Sequence, residues 1–192
     1  MGIRCDDARP DLGPSAYRIS LVYIWLVCGA TEGRCRVVVD FIAQRDEMKS
    51  RRHEFTLWPR MWQEFNMDVS LEWHTRRLTR SERSNIPTSS GIYTFLVQPG
   101  IANHPQCSYL VYVGQAVSLR NRFNNYLGRE KRITGRPKVV TWLNMYEDYM
   151  WFCYSLVPRA KLDDVEAALL TAYIPIANDQ FPTNIRRIVR AF

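Results

Sequence analysis

Met150 to Val157 is a run apolar on both faces of an extended strand, and such a strand must be covered above and below. The flanking segments supply the cover. Gly91 to Val97 and Tyr109 to Gly114 are strand-like and are joined by a polar loop holding Pro99, Gly100, Asn103 and Pro105, so they pair as an antiparallel hairpin. Ser118 caps a helix whose apolar positions Leu119, Phe123, Tyr126 and Leu127 recur at helical spacing and which ends near Gly128. Val139 to Tyr146 forms a second helix. Asp163 and Asp164 open a third, with Val165, Leu169 and Tyr173 on its core face and Pro175 as its stop. The order β, β, α, α, β, α predicts an α/β fold in which a small antiparallel three-stranded central sheet is flanked by helices.

The chain of 192 residues has room for one such domain and a smaller appendage. Tyr17 to Cys28 and Arg34 to Ile42 are rich in Val, Ile, Tyr and Trp, and the glycines of the insert at 29–33 between them suit a hairpin loop. A β-hairpin-containing N-terminal appendage is therefore expected. Asp46 to Arg52 reads as helical, and Met61, Trp62, Phe65 and Met67 as a short segment packing on that hairpin. Arg76, Arg77, Arg80 and Arg83 fall in a polar connector ending at Ser84-Asn85-Ile86-Pro87, either a solvated linker or a basic arm for a nucleic-acid backbone. The expected division is an accessory region of unknown role over 1–86 and a second domain over 87–192.

Several classes of protein are excluded. The longest apolar run, Ile19 to Ala30, is shorter than the roughly 20 residues that cross a bilayer, so no membrane association is expected. Asp6 and Asp7 stand where a secretory signal carries only basic charge, and a cytoplasmic protein without a lipid is expected. Cys5, Cys28, Cys35, Cys107 and Cys153 are scattered, with no C-x-x-C spacing, and His104 beside Cys107 supplies only two ligands. Neither a disulfide framework nor a zinc site follows.

Most of the formal net charge of +7 lies in residues 87–192. Arg120, Arg122, Arg129, Lys131, Arg132, Arg136 and Lys138 crowd one stretch in which Glu130 is the sole acid. Such a run can follow a phosphate backbone, and it can equally be a solvated helix and turn. Of these residues Arg120, Arg129, Lys131, Arg132, Arg136 and Lys138 are the candidates for nucleic-acid binding.

Chemistry is suggested by a second set. Side chains alternate on paired strands, so Tyr93 and Tyr112 can rise on the same face and bring two phenols together. Arg122 follows in the helix entered from the second strand, with Tyr126 one turn later, and a guanidinium beside phenols suits a phosphate. Glu166 is the acid embedded in the apolar part of its helix, where a carboxylate needs a cation or a metal, Mg²⁺ being a natural partner.

With these residues in view, Gly91-Ile92-Tyr93 and Tyr112-Val113-Gly114, followed by Arg122, Glu166 and a Pro175-x-x-Asn178 element, the segment over about 86–180 resembles the GIY-YIG nuclease domain family. Two departures stand out. The interval between the tyrosines is longer than usual, placing an insert around Gly100 to Cys107, and Gln115 replaces a basic residue carried by some repair members.

The resemblance implies a metal-dependent endonuclease that hydrolyses DNA phosphodiesters, with Tyr93, Tyr112, Arg122, Tyr126, Glu166 and Asn178 at its active site. Glu166 would hold Mg²⁺ or Mn²⁺, Tyr93 or Tyr112 would orient or deprotonate water, Arg122 would neutralise charge at phosphorus, and Asn178 would brace the site. The alternatives are a catalytically silent nucleic-acid-binding module and a subunit or homodimer docked through its N-terminal region.

Overall fold

The computed structural model describes residues 40–100, 108–128 and 136–191. The chain divides into two compact units, Met1–Arg52 and His53–Phe192. In the first, helix α1 (Phe41–Ser50) begins at Asp40, whose carboxylate accepts the backbone N–H groups of Ile42 and Ala43 at 3.0 and 3.1 Å. This cap corrects the expectation that the strand from Arg34 reaches Ile42. The oxygen of Asp40 satisfies donors left open by the first helical turn, and that outweighs the strand propensity of Phe41 and Ile42. The rest of the expected hairpin, including Tyr17 to Cys28, lies outside the described residues.

The second unit is an α/β structure built on one antiparallel sheet. Its strands are β1 (His74–Arg77), β2 (Gly91–Val97), β3 (Tyr109–Ala116) and β4 (Met150–Leu156), in the order β1-β4-β2-β3. The sheet thus has four strands where three were expected. The additional strand comes from the supposed connector: His74 pairs with Tyr154 and Arg77 with Trp151. All four of its residues are exposed, so it carries no alternation of apolar and polar positions, and only backbone pairing along the edge of β4 makes it a strand.

The two faces of the sheet bury different residues, as the two-residue period of a strand requires. Tyr93, Phe95, Tyr112, Phe152 and Tyr154 pack on one side against Leu119, Phe123 and Tyr126 of α3 (Leu119–Tyr126) and Val139, Trp142 and Leu143 of α4 (Pro137–Met145). Ile92, Val113 and Val157 pack on the other against Leu162, Val165, Leu169 and Leu170 of α5 (Leu162–Tyr173) and Ile185 of α6 (Thr183–Val189). The strand expected to be covered on both sides is β4, which runs between β1 and β2.

Two contacts differ from expectation. Tyr173 is 49% exposed at the end of α5 rather than on its core face, because Ala172 and Leu170 take the inward positions of that last turn. Short helix α2 (Pro59–Gln63) packs with α5: Met61 and Met67 join the second core, and the Trp62 indole N–H donates to the Ala172 carbonyl at 2.8 Å.

The free edge of β3 is closed by the segment after α5. Ile174 takes the left-handed conformation, with φ 44°, and Pro175 follows, which turns the chain back along β3. The Ala177 N–H donates to the Val111 carbonyl at 2.9 Å. The Asn178 carboxamide then accepts from the Val113 N–H at 3.0 Å and donates to the Val113 carbonyl at 2.8 Å. A side-chain amide thereby imitates the next rung of the ladder and protects a strand edge. Asn178→Ala leaves both Val113 groups buried and unpaired, at a cost of about 2–6 kcal/mol of stability by urea unfolding.

Candidate active site

The site begins with a glycine. In the β2–β3 ladder Tyr93 lies opposite Gly114 and Phe95 opposite Tyr112, so Tyr93 and Tyr112 are diagonal neighbours on one face, with ring centroids 5.8 Å apart. A Cβ at Gly114 would stand 2.7 Å from both the Tyr112 ring and the Tyr93 hydroxyl. The second motif needs its glycine because the two phenols fill the space that a side chain would take. Tyr93 is further held by stacking on Phe152 at 5.1 Å.

Helix α3 brings the next groups. The Ser118 hydroxyl accepts the Asn121 N–H, and the helix lies across the sheet with Phe123 edge-on to Phe152 at 5.1 Å. Tyr126 then reaches the Tyr93 hydroxyl with its own, 3.0 Å away. Arg122, one turn earlier, hydrogen-bonds Tyr126 and faces Tyr93 and Tyr112. Burial pulls its pKa down, but the three phenols outweigh burial and hold the guanidinium above its ordinary value. Burial, with the neighbouring phenols, pushes Tyr93 well above the ordinary tyrosine value. Tyr112 is pushed up to about 12 by burial and Tyr126, with Arg136 working in the opposite direction.

Glu166 stands on α5 at the rim of this cluster, close enough that its charge opposes ionisation of Tyr112. Gln115, the residue following the second motif, donates from its Nε2 to Glu166 at 3.0 Å and to Asp163 at 2.6 Å. Burial raises the pKa of Glu166, while Gln115 and Arg136 counter that rise. Glu166 presents hard carboxylate oxygens with a second carboxylate one helical turn before it. That donor set fits a Mg²⁺-type cation, which keeps most of its waters and takes only one or two carboxylates. Among the described residues no three His, Cys, Asp or Glu side chains converge as a closed metal cage.

The candidate basic residues separate. The Arg136 guanidinium donates to the Tyr112 hydroxyl at 3.0 Å and lies 5.9 Å from the centre of its ring, so it belongs with the phenols. Arg120 donates to the Ile86 and Ser84 carbonyls at 2.7 and 3.2 Å, clamping α3 to the preceding turn. Lys138 pairs with Asp179 at 2.8 Å on the surface. Arg129, Lys131 and Arg132 lie outside the described residues, as does His104. Asn178 meets the backbone of Val113, next to Tyr112, rather than the open side of the cluster. His53 lies elsewhere, 2.9 Å from the Tyr146 hydroxyl.

The structure brings the three tyrosines, Arg122 and Glu166 of the sequence-predicted set near one another. Sequence reasoning missed the contact of Arg136 with Tyr112 and the sharing of Gln115 by Asp163 and Glu166. Arg136 looks in sequence like one more cation of a basic run. Asp163 reads as an ordinary first-turn acid of a helix, although its spacing of three from Glu166 puts both on one face.

No protein-family model matches the chain, and no curated protein matches it. Among solved structures it is similar to the GIY-YIG N-terminal endonuclease domain of UvrC from Thermotoga maritima. A point mutant of that domain bound to its catalytic divalent cation is 22% identical, with 53% of this chain and 94% of that one covered and a TM-score of 0.38. The same domain bound to magnesium is 23% identical, with 52% and 93% covered and a TM-score of 0.37.

Two outcomes are expected. Gly114→Ala forces Tyr93 and Tyr112 apart and costs about 1–3 kcal/mol in urea unfolding, with loss of near-ultraviolet circular dichroism from the aromatic cluster. The raised pKa of Glu166 means that the folded protein binds this proton more tightly than the unfolded chain. Its contribution is therefore destabilising once pH rises through that window. Metal-free Glu166→Gln should melt above the parent protein near about pH 7, and the difference should close below the ordinary carboxylate range.

Proposed function

We propose that the chain is a metal-dependent endonuclease acting on DNA phosphodiesters. The observation that carries this reading is the meeting of three phenols, the Arg122 guanidinium and the Glu166 carboxylate, drawn from β2, β3, α3 and α5. The resemblance of the two tyrosine motifs to the GIY-YIG family supports it, as does a sequence pI of about 9.3. Every residue of the site lies in 87–192, the stretch read from sequence as the nuclease domain, while residues 53–86 contribute α2 and β1 to the same compact unit.

Each residue has a task set by its surroundings. Glu166, with Asp163 beside it, would hold Mg²⁺ or Mn²⁺. A cation bound there supplies charge that neutralises a non-bridging phosphate oxygen and the leaving 3′ oxygen. Arg122, fixed by Tyr126 and partly buried, binds the phosphate and meets the negative charge that grows on it during in-line attack.

Tyr112 is the phenol suited to orient the attacking water and accept its proton. Tyr93 is fully buried and its hydroxyl is engaged with Tyr126, whereas Tyr112 receives a hydrogen bond from Arg136, which favours the phenolate. At a pKa of about 12 only about one Tyr112 in 10⁵ is ionised at pH 7; as a neutral phenol it orients the water through its oxygen, and as a base it acts through the rare phenolate, whose own proton has gone to solvent and whose charge Arg136 meets. Arg136 thereby offers the positive charge that Gln115 does not.

A nicking assay with supercoiled DNA and Mg²⁺ tests the proposal. Glu166→Ala should abolish cleavage, and Arg122→Ala and Tyr112→Phe should each slow it about 100-fold or more with the fold retained. Cleavage unchanged in Glu166→Ala refutes the assignment.

A further inference from the structure

Helix α3 has a second flank that the proposed chemistry does not use. Phe123 points into the sheet; at 100° per residue, Arg122 and Tyr126 fall to one side of it and Asn124 and Leu127 to the other. On that other side a 3-10 helix over Arg80–Asn85 is held against α3 by the hydrogen bonds of Arg120 to Ser84 and Ile86. Between them is a recess of about 320 Å³, lined among the described residues by Arg80, Arg83, Asn124 and Leu127.

Three features of this recess point to a ligand. The Oδ1 of Asn124 is buried and has no hydrogen-bond partner, a condition that costs stability and that native structures rarely leave without reason. Arg80 and Arg83 are exposed, and among the described residues neither is ion-paired. Arg80 also closes over the end of α3, its Nη2 lying 3.6 Å from where a Cβ on Gly128 would be; Gly128, at φ 81°, supplies both the turn and the room.

We propose that this recess is a second nucleotide subsite, in which Arg80 and Arg83 hold a phosphate, Leu127 covers a base, and the Asn124 carbonyl accepts an amino or imino N–H from that base. Two exposed guanidiniums suit the fork geometry of a phosphate, and an orphan acceptor needs a donor that phosphate lacks and a nucleobase carries. The thickness of a helix with its side chains, about 10–12 Å, separates this subsite from Arg122. A strand covers that span in about three nucleotide rises, so one strand can occupy both. The identification of the ligand as a substrate strand rests on the nuclease reading; the existence of the subsite rests on the recess alone.

The test is equilibrium binding of a fluorescent single-stranded DNA oligonucleotide to the full chain in metal-free buffer, by anisotropy across a salt series. The double variant Arg80→Ala/Arg83→Ala should bind about tenfold more weakly, and its plot of log affinity against log salt should be flatter by about 0.7, as expected when one phosphate of a single strand is no longer neutralised. Asn124→Leu should weaken binding of the normal oligonucleotide but not of an abasic one. Its melting temperature should hold or rise, since a buried unpaired carbonyl is removed, a result that a purely structural role for Asn124 does not produce. Affinity and salt slope equal to the parent protein in both variants overturn the subsite. A loss confined to the arginine variant overturns the base contact and leaves a phosphate site. No turnover is needed, so failure of the nicking assay and failure of this one are read separately.

Discussion

Tyr93 and Gly114 face each other across the β2–β3 ladder, and the space that a side chain at 114 would fill is occupied by the phenols of Tyr93 and Tyr112. The rest of the site is arranged around that gap. Because Tyr93 can lean toward β3, its hydroxyl sits where Tyr126 meets it from α3, and Arg122 is drawn along by the same helix. The second motif glycine also has a counterpart in the first. A Cβ on Gly91 would collide with the Ser155 carbonyl and with Leu119, so the start of β2 can lie tightly under the start of α3 only without one. Two missing side chains set the distance between sheet and helix, and that distance brings hydroxyls and guanidinium within reach of one another.

The electrostatics follow from partial burial. Tyr93 and Tyr112, shut away from water, hold their protons, a half-buried carboxylate is reluctant to ionise alone, and a guanidinium in the same place keeps its charge because the phenols around it are good acceptors. On the proposed reading, such a cluster would receive a phosphate at Arg122 and a cation at Glu166. Stability is supplied elsewhere: two apolar cores cover the faces of the sheet, and Asn178 completes the hydrogen bonding of its outer edge.

Much of this was legible in the residues. Periodicity and caps announced α3 from Ser118, the doubly covered strand β4, and the start of α5 at its two aspartates, because each is decided within a few positions by backbone sterics and apolar spacing. Strand β1 was not legible. Its four exposed residues have no pattern, and they become a strand only because β4 offers an unpaired edge beside them. The contact of Arg136 with Tyr112 was hidden for a similar reason: as one cation among seven its neighbours in sequence are other cations, and its tie to Tyr112 spans 24 positions. The ends of chemical motifs were visible, but not the contacts that tune them.

From the order of amino acids alone came the candidate site residues and the elements that carry them, since motif spacing and local periodicity depend on near neighbours along the chain. Folding in three dimensions decided which guanidinium serves which phenol, which carboxylates share the Gln115 amide, and what closes each edge of the sheet. Those outcomes are set by packing between segments 24 to 78 positions apart, and no local preference encodes a meeting at that range.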